Sequence, residues 1–143
     1  SGTAINYTGI PSGVRRIMIG FNGVSSNGTS NLLVQIGDTD GLDTSGYVSQ
    51  AWSTANSAVQ STAGFLYTKS NGTANVDDGI MILQCINTTG LTWIQSSIAS
   101  SATTEMSTGT GHRILGKELD RVTITYVNGS DVFDAGSVNI SYS

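Results

Sequence analysis

A chain of 143 residues has room for one folded domain, and its formal net charge of −4 lacks the positive excess that nucleic-acid binding requires. Only 11 % of the residues are charged, against roughly 25 % in an ordinary soluble domain. No apolar run approaches membrane-spanning length, so we expect a single domain over residues 1–143 with neither nucleic-acid binding nor membrane insertion.

Alternating apolar and polar residues indicate several half-buried β-strands along the chain. The first alternations occupy residues 14–21 and 31–36, and the last occupy residues 122–126 and 138–142. The surface of a helix usually carries many Lys, Glu and Arg residues, so the low charge also favours β-structure.

Residues 48–62 break this pattern. Val48, Trp52, Ala55 and Val59 recur at near-helical spacing, but the Ser, Thr and Asn residues between them are poor helix formers. We therefore predict a long loop that holds at most one helical turn.

The centre of the chain predicts a strand pair. Residues 80–86 are apolar on both faces, which is typical of a central strand, and residues 91–98 are expected to pair with them across a turn at Asn87–Gly90. The single cysteine, Cys85, lies in this apolar run and is expected to be a buried thiol.

Asparagine and glycine mark the expected turns. Asn-Gly dipeptides favour tight hairpins and occur at residues 22–23, 27–28, 71–72 and 128–129. Six Asn-x-Ser/Thr patterns are expected to be turn or surface asparagines rather than glycan acceptors; they begin at Asn6, Asn27, Asn71, Asn87, Asn128 and Asn139. Frequent turns between short strands predict an all-β fold, an antiparallel β-sandwich of jelly-roll type.

The sequence offers no motif for catalysis. His112 is the only histidine, and no nucleophile-elbow pattern surrounds any serine. Ten acidic residues are present, but no spacing singles out a carboxylate pair for glycosidic cleavage. We predict that this chain is not an enzyme.

Three aspartates in the stretch GDTDGLD form a candidate metal site. Asp38, Asp40 and Asp43 resemble the opening of a calcium loop, in which oxygen ligands alternate and a glycine permits the turn. The twelfth position, Ser49, lacks the glutamate of an EF-hand, and Asp and Gly are also ordinary turn residues. Calcium is thus one interpretation, and no cofactor is the other.

Aromatic and polar residues suggest a carbohydrate site. Apolar sugar faces stack on exposed aromatic rings while polar groups fix orientation, so we select Trp52, Tyr47, Tyr67 and Arg113 as candidates. Trp52 could stack on a sugar, contact another subunit or anchor a loop. Trp93 lies in a predicted strand and is expected in the core.

Two stretches carry a family resemblance. GIPSGVRRIMIGFNGVSSNGTSNLLVQIGD at residues 9–38 and DRVTITYVNGSDVFDAGSVNISYS at residues 120–143 resemble the C-terminal domains of bacteriophage tailspike and tail-fibre proteins, those of Pseudomonas phages among them. The resemblance covers somewhat over a third of the chain. It carries no catalytic motif that could be transferred to residues here.

The resemblance implies a role and a location. Such domains form homotrimers at the end of a longer virion protein, where they cap the shaft, aid assembly or bind host surface polysaccharide or lipopolysaccharide, while a hydrolase or lyase site lies elsewhere in the parent. The start at Ser1, without an initiator Met, agrees with a fragment of a longer protein. The alternatives are an autonomous carbohydrate-binding module, aided by calcium, and a polysaccharide-degrading enzyme domain.

Overall fold

The computed structural model describes residues 2–54, 57–69, 73–102 and 105–143, and it is built from antiparallel strands. In chain order the strands are β1 (Ala4–Thr8), β2 (Arg16–Ser26), β3 (Leu32–Asp38), β4 (Gly41–Leu42), β5 (Val48–Ser53), β6 (Val59–Ser61), β7 (Phe65–Leu66), β8 (Asp77–Cys85), β9 (Thr92–Ala102), β10 (Glu105–Ile114), β11 (Arg121–Tyr126) and β12 (Phe133–Tyr142). No helix occurs in these four ranges, and thus none that could cross a membrane. The Asn71-Gly72 turn and the Asn71 glycosylation pattern lie outside the described residues.

Two antiparallel sheets enclose a main core and a smaller apolar cluster, which confirms the all-β, sandwich-like fold. The smaller sheet has the order β1-β11-β3-β4, with β7 also paired to β3, and the larger has the order β12-β2-β8-β9-β10-β5-β6. Strand β8 lies inside the larger sheet and pairs with β9, so the central strand and its partner were predicted correctly. The turn between them is confirmed, since Asn87 Oδ1 accepts hydrogen bonds from Leu91 N and Thr92 N.

The core lies between the facing sides of the two sheets. Apolar residues at every second position fill this core, as the sequence predicted; they include Ile17, Ile19 and Phe21 of β2, Leu32, Val34 and Ile36 of β3, and Val122, Ile124 and Tyr126 of β11. In β3 the intervening Leu33 is also buried, in a smaller cluster with Ala51 and Leu66. Trp93 is fully buried, and its Nε1 donates to Gly90 O at 3.1 Å, which confirms its core position. Cys85 is a buried free thiol, as expected.

Residues 65–69, which begin with β7 of the smaller sheet, pack against small polar residues on the inner side of β9, β10 and β5. Ser49 Oγ accepts from Leu66 N at 2.8 Å, and Ser107 Oγ accepts from Lys69 N at 2.9 Å. Ser97 Oγ donates to Tyr67 O at 3.2 Å. A buried backbone N–H or C=O group without a hydrogen-bond partner lowers the stability of the fold. The inward-facing serines supply these partners.

The loop predicted over residues 48–62 is wrong, because strands β5 and β6 lie there and pair with each other. In β5 the buried residues are Ser49, Ala51 and Ser53, whereas Val48 and Trp52 face solvent. The large apolar residues Val48 and Trp52 therefore lie on the outer face of this strand, and the small residues lie on the inner one.

None of the three Asn-Gly dipeptides in the described ranges forms the predicted hairpin, and Asn27-Gly28 lies in the connection from β2 to β3, which belong to different sheets. Asn22-Gly23 lies within β2, where Gly23 has a φ of 63° at an irregularity in the pairing with β8 and donates its N–H to Asp78 Oδ1. Asn128-Gly129 forms a turn, with Gly129 N bonded to Tyr126 O, but the turn leads from the smaller sheet to the larger one. It does not join neighbouring strands.

Two of the connections that cross between the sheets, from β2 to β3 and from β11 to β12, are hydrogen-bonded to each other. Asn27 N donates to Val132 O, and Asn27 Oδ1 accepts from Val132 N at 2.9 Å. Asp131 Oδ2 accepts from Ser30 N at 2.9 Å. Asn27 and Asp131 are thus structural turn residues.

Candidate functional site on the outer face of the seven-stranded sheet

The strand register aligns the outward residues of the larger sheet in rows that cross the strands. The first central row contains Asn139, Gly20, Ile80, Ile98, Thr108 and Trp52. The second central row contains Ser141, Met18, Ile82, Ser96, Thr110, Gln50 and Gln60. We call this surface the outer face.

The centre of the outer face is apolar and uncharged. Met18, Ile80, Ile82 and Ile98 lie side by side on β2, β8 and β9, and we call them the apolar patch. Ile98 is 59 % exposed and Met18 is 39 % exposed. Neither central row holds a charged side chain. A contiguous exposed apolar surface of this kind is typical of an interaction site.

The opposite face of the molecule differs in character. On the smaller sheet, Thr123 donates to Asn6 Oδ1 at 2.8 Å, and Thr125 donates to Thr3 O at 2.7 Å. Gln35 Nε2 donates to Ala63 O at 2.9 Å. These polar groups already have protein partners, so the outer face of the larger sheet is the better candidate for binding.

A groove of about 600 Å³ opens at one side of the outer face, where β9, β10, β5 and β6 meet. Its outward-facing lining residues combine apolar side chains with amides, a hydroxyl and an imidazole; they are Ile94, Val48, Gln50, Gln60, Thr110 and His112. Sites for small ligands commonly combine concave apolar surface with a few polar groups.

Trp52 lies on the outer face beside this groove. It is 41 % exposed and stands opposite Thr108 of β10, in the row next to Gln50. Its ring is therefore accessible to a ligand or to another subunit. It is the one aromatic residue among our carbohydrate candidates with this much exposed surface.

The two tyrosines chosen as candidates are core residues, which corrects their prediction as exposed sugar-stacking rings. Tyr67 is fully buried and stacks on Phe21 with ring centroids 4.0 Å apart. Tyr47 is 1 % exposed, and its hydroxyl accepts from Ile36 N at 2.8 Å. Burial raises the pKa of both hydroxyls, which therefore remain protonated at neutral pH.

Arg113 faces the inner side of β10 and binds Asp43. Its Nε lies 2.8 Å from Asp43 Oδ2, its Nη1 donates to Gly46 O, and its guanidinium covers the ring of Tyr47 at 5.4 Å. The guanidinium of Arg113 and the carboxylate of Asp43 therefore neutralise each other within the fold. A sugar or a metal ion would have to displace the pair to use either residue.

The other two aspartates of the candidate calcium loop are both bound to Lys117. Asp38 is buried and accepts from Asp40 N at 2.8 Å and from Lys117 N at 2.9 Å. Asp40 pairs with Lys117 Nζ at 2.6 Å. Within the described ranges, no three His, Cys, Asp or Glu side chains are grouped so that they could hold a metal ion. Calcium binding stays a prediction without geometric support.

Sequence reasoning missed the polar residues of the groove. Gln50 and Gln60 fall in the stretch that we predicted as a loop, and Thr110 and His112 lie in a Gly-rich stretch without an apolar alternation. The available signal was the order Val48, Gln50, Trp52, which alternates with small residues as one face of a strand does.

Comparison with known proteins identifies no relative: no family model matches the chain, and neither does any curated protein or solved structure.

Proposed function

We propose that this chain is a non-catalytic assembly module, the homotrimeric C-terminal cap of a phage tailspike in the virion, with recognition of host surface carbohydrate as its second role. The proposal includes jelly-roll connectivity for the sandwich. It draws on the sequence resemblance for its biological setting, and on the outer face for its mechanism.

The observation that carries the assembly role is the uncharged apolar patch. Burying a residue such as Ile98 against another chain releases water from an apolar surface and leaves no charge unpaired. If three copies turn this face toward a common axis, each face contacts both neighbours.

The size of the face suits this role. Strands β12, β2, β8 and β9 have nine to eleven residues each. At ordinary strand spacing and rise they cover about 20 Å by 33 Å, or roughly 650 Å². A standard interface takes roughly 800 Å² from each partner, so this surface is close to sufficient.

Solution mass tests the proposal. We expect the purified chain to be a trimer by light scattering at micromolar concentration, and Ile98→Asp to shift it toward monomer because a carboxylate would be buried without a partner. Val127→Asp is the matched control, since Val127 is also about half exposed but follows β11 of the smaller sheet. A monomeric wild type contradicts assembly, and a stable dimer contradicts the trimer.

A further inference from the structure

The groove beside the apolar patch contains polar groups that the fold does not use. The chain has five glutamines, and the amides of Gln35, Gln84 and Gln95 are hydrogen-bonded within the protein. The amides of Gln50 and Gln60 have no hydrogen-bond partner among the described residues, yet they stand directly opposite each other on β5 and β6. Both line the groove.

Thr110 and His112 extend this polar surface. Thr110 lies opposite Gln50, and His112 lies opposite Val48, in the register of β10 with β5. Their side chains likewise make no hydrogen bond to the part of the chain that is described. Two amides, a hydroxyl and an imidazole therefore offer several donors and acceptors to one space.

The electrostatic character of the groove selects against charged ligands. No Asp, Glu, Lys or Arg is among its lining residues. The nearest arginine in sequence, Arg113, points to the inner side of the sheet and is bound to Asp43. An acidic ligand would lose its hydration without gaining a counter-charge.

Apolar surface accompanies the polar groups. Val48 is 71 % exposed and Ile94 is 38 % exposed, and both line the groove. Trp52 stands two residues beyond Gln50 on the same side of β5, roughly 7 Å along the strand. A ligand that fits has hydroxyl groups at its edges and C–H groups on its faces, as a pyranose ring has.

From these contacts we infer that the groove is a binding site for neutral oligosaccharides, with Gln50, Gln60 and Thr110 bonding the hydroxyl groups and Val48, Ile94 and Trp52 receiving the apolar ring faces. The inference rests on the second role of the proposed function and specifies it: the site is this groove, and the ligand is uncharged. The groove lies toward β6, whereas the apolar patch lies on β2, β8 and β9, so one chain can use both.

Calorimetric titration tests the inference. The probes are neutral tetrasaccharides of glucose, galactose, mannose and N-acetylglucosamine, together with uronic-acid tetrasaccharides of matched length. We expect at least one neutral probe to bind at millimolar concentration and the uronates to bind more weakly. The double change Gln50→Ala with Gln60→Ala should weaken binding at least about tenfold, through the loss of hydrogen bonds to the hydroxyls.

Asn139→Ala is the control, because Asn139 is an outward amide on the same sheet, five strands away from β5. The sugar dissociation constant of this variant should stay within about twofold of the wild-type value. Such a result would show that the effect of the double variant comes from the groove and not from the loss of any outward amide. Light scattering on the same samples reports assembly independently of sugar binding.

Three results would overturn the inference. They are no binding of any neutral probe, preference for the uronates, and unchanged binding in the double variant. If the double variant changes the solution mass but not the sugar affinity, the groove is an interface with a second copy of the chain and not a sugar site. If the wild type assembles but binds no sugar, the inference fails and the assembly role stands. If it binds sugar as a monomer, the assembly role fails and the inference stands.

Discussion

Gly109 of β10 lies directly against the backbone of Leu66, and a Cβ atom at this position would be 2.5 Å from the Leu66 carbonyl oxygen. The neighbouring Ser97 hydroxyl would be 2.7 Å away. The absence of a side chain on β10 therefore lets residues 65–69 lie inside the sandwich, bonded to serines of the larger sheet. Glycine in a strand often marks such a close approach of two backbones.

Gly109→Ala should destabilise the fold, since backbone atoms cannot move aside as the end of a side chain can. We expect a loss of about 1–3 kcal/mol in the free energy of unfolding, measured by urea denaturation. Gly20→Ala is the control, because its Cβ would meet nothing closer than 4.0 Å and Gly20 has no positive φ. Equal stabilities of the two variants would show that residues 65–69 do not pack as described.

The central strands were predictable because side chains of a strand alternate between its two faces, so that core residues recur at every second position. Ile17 and Ile19 of β2, and Val122 and Ile124 of β11, recur at every second position and face the core. The same rule failed at β5, where Ser49 faces inward to bond Leu66 N. Such an inversion depends on a distant segment that enters the core, and no local pattern contains that information.

The candidate site was predictable only in part. The sequence left the role of Trp52 open, and the structure shows it 41 % exposed on strand β5 rather than in a loop. The pairing of Gln50 with Gln60 and with Thr110 depends on the register of three strands. Register follows from tertiary packing, so sequence spacing alone could not bring these residues together.

The partly buried pair of Arg113 and Asp43 should contribute to stability. Arg113→Lys keeps the charge but loses the planar guanidinium that bonds Asp43 and covers Tyr47. We expect a loss of about 1–2 kcal/mol in urea denaturation. Lys117→Gln, which breaks the exposed pair with Asp40, should leave the midpoint unchanged. If Arg113→Lys keeps the wild-type stability and Lys117→Gln lowers it, the pair of Lys117 and Asp40 contributes more to stability than the pair of Arg113 and Asp43, contrary to our expectation.

Calcium should not stabilise this chain, because Asp38 and Asp40 are bound to Lys117 and Asp43 is bound to Arg113. We expect the melting temperature to be the same in calcium and in chelator. Asp40→Asn should behave alike in both conditions. A rise in melting temperature with calcium that Asp40→Asn abolishes would establish the metal site that the sequence suggested.

Asp77 is a buried carboxyl at the start of β8, with 1 % exposure, and its Oδ1 has no hydrogen-bond partner among the described residues. Burial raises the pKa of Asp77 to about 7, and the negative charges of Asp78 and Glu105 add to this rise. An unfolded chain would ionise this carboxyl near pH 4. The folded state therefore holds the proton more tightly than the unfolded state does.

The sign of the pH dependence follows from this difference. The contribution of Asp77 to stability is fully present below about pH 4 and declines as the pH rises toward 7, by up to about 4 kcal/mol. Asp77→Asn cannot ionise, so it should remove this decline and exceed the wild type in stability at pH 8. Urea denaturation between pH 4 and pH 8 measures the effect. Asp78→Asn, which removes the exposed neighbouring carboxyl, should keep most of the decline. A wild type as stable at pH 8 as at pH 5, with Asp77→Asn weaker at both, would mean that the ionised carboxylate is accommodated in the folded state.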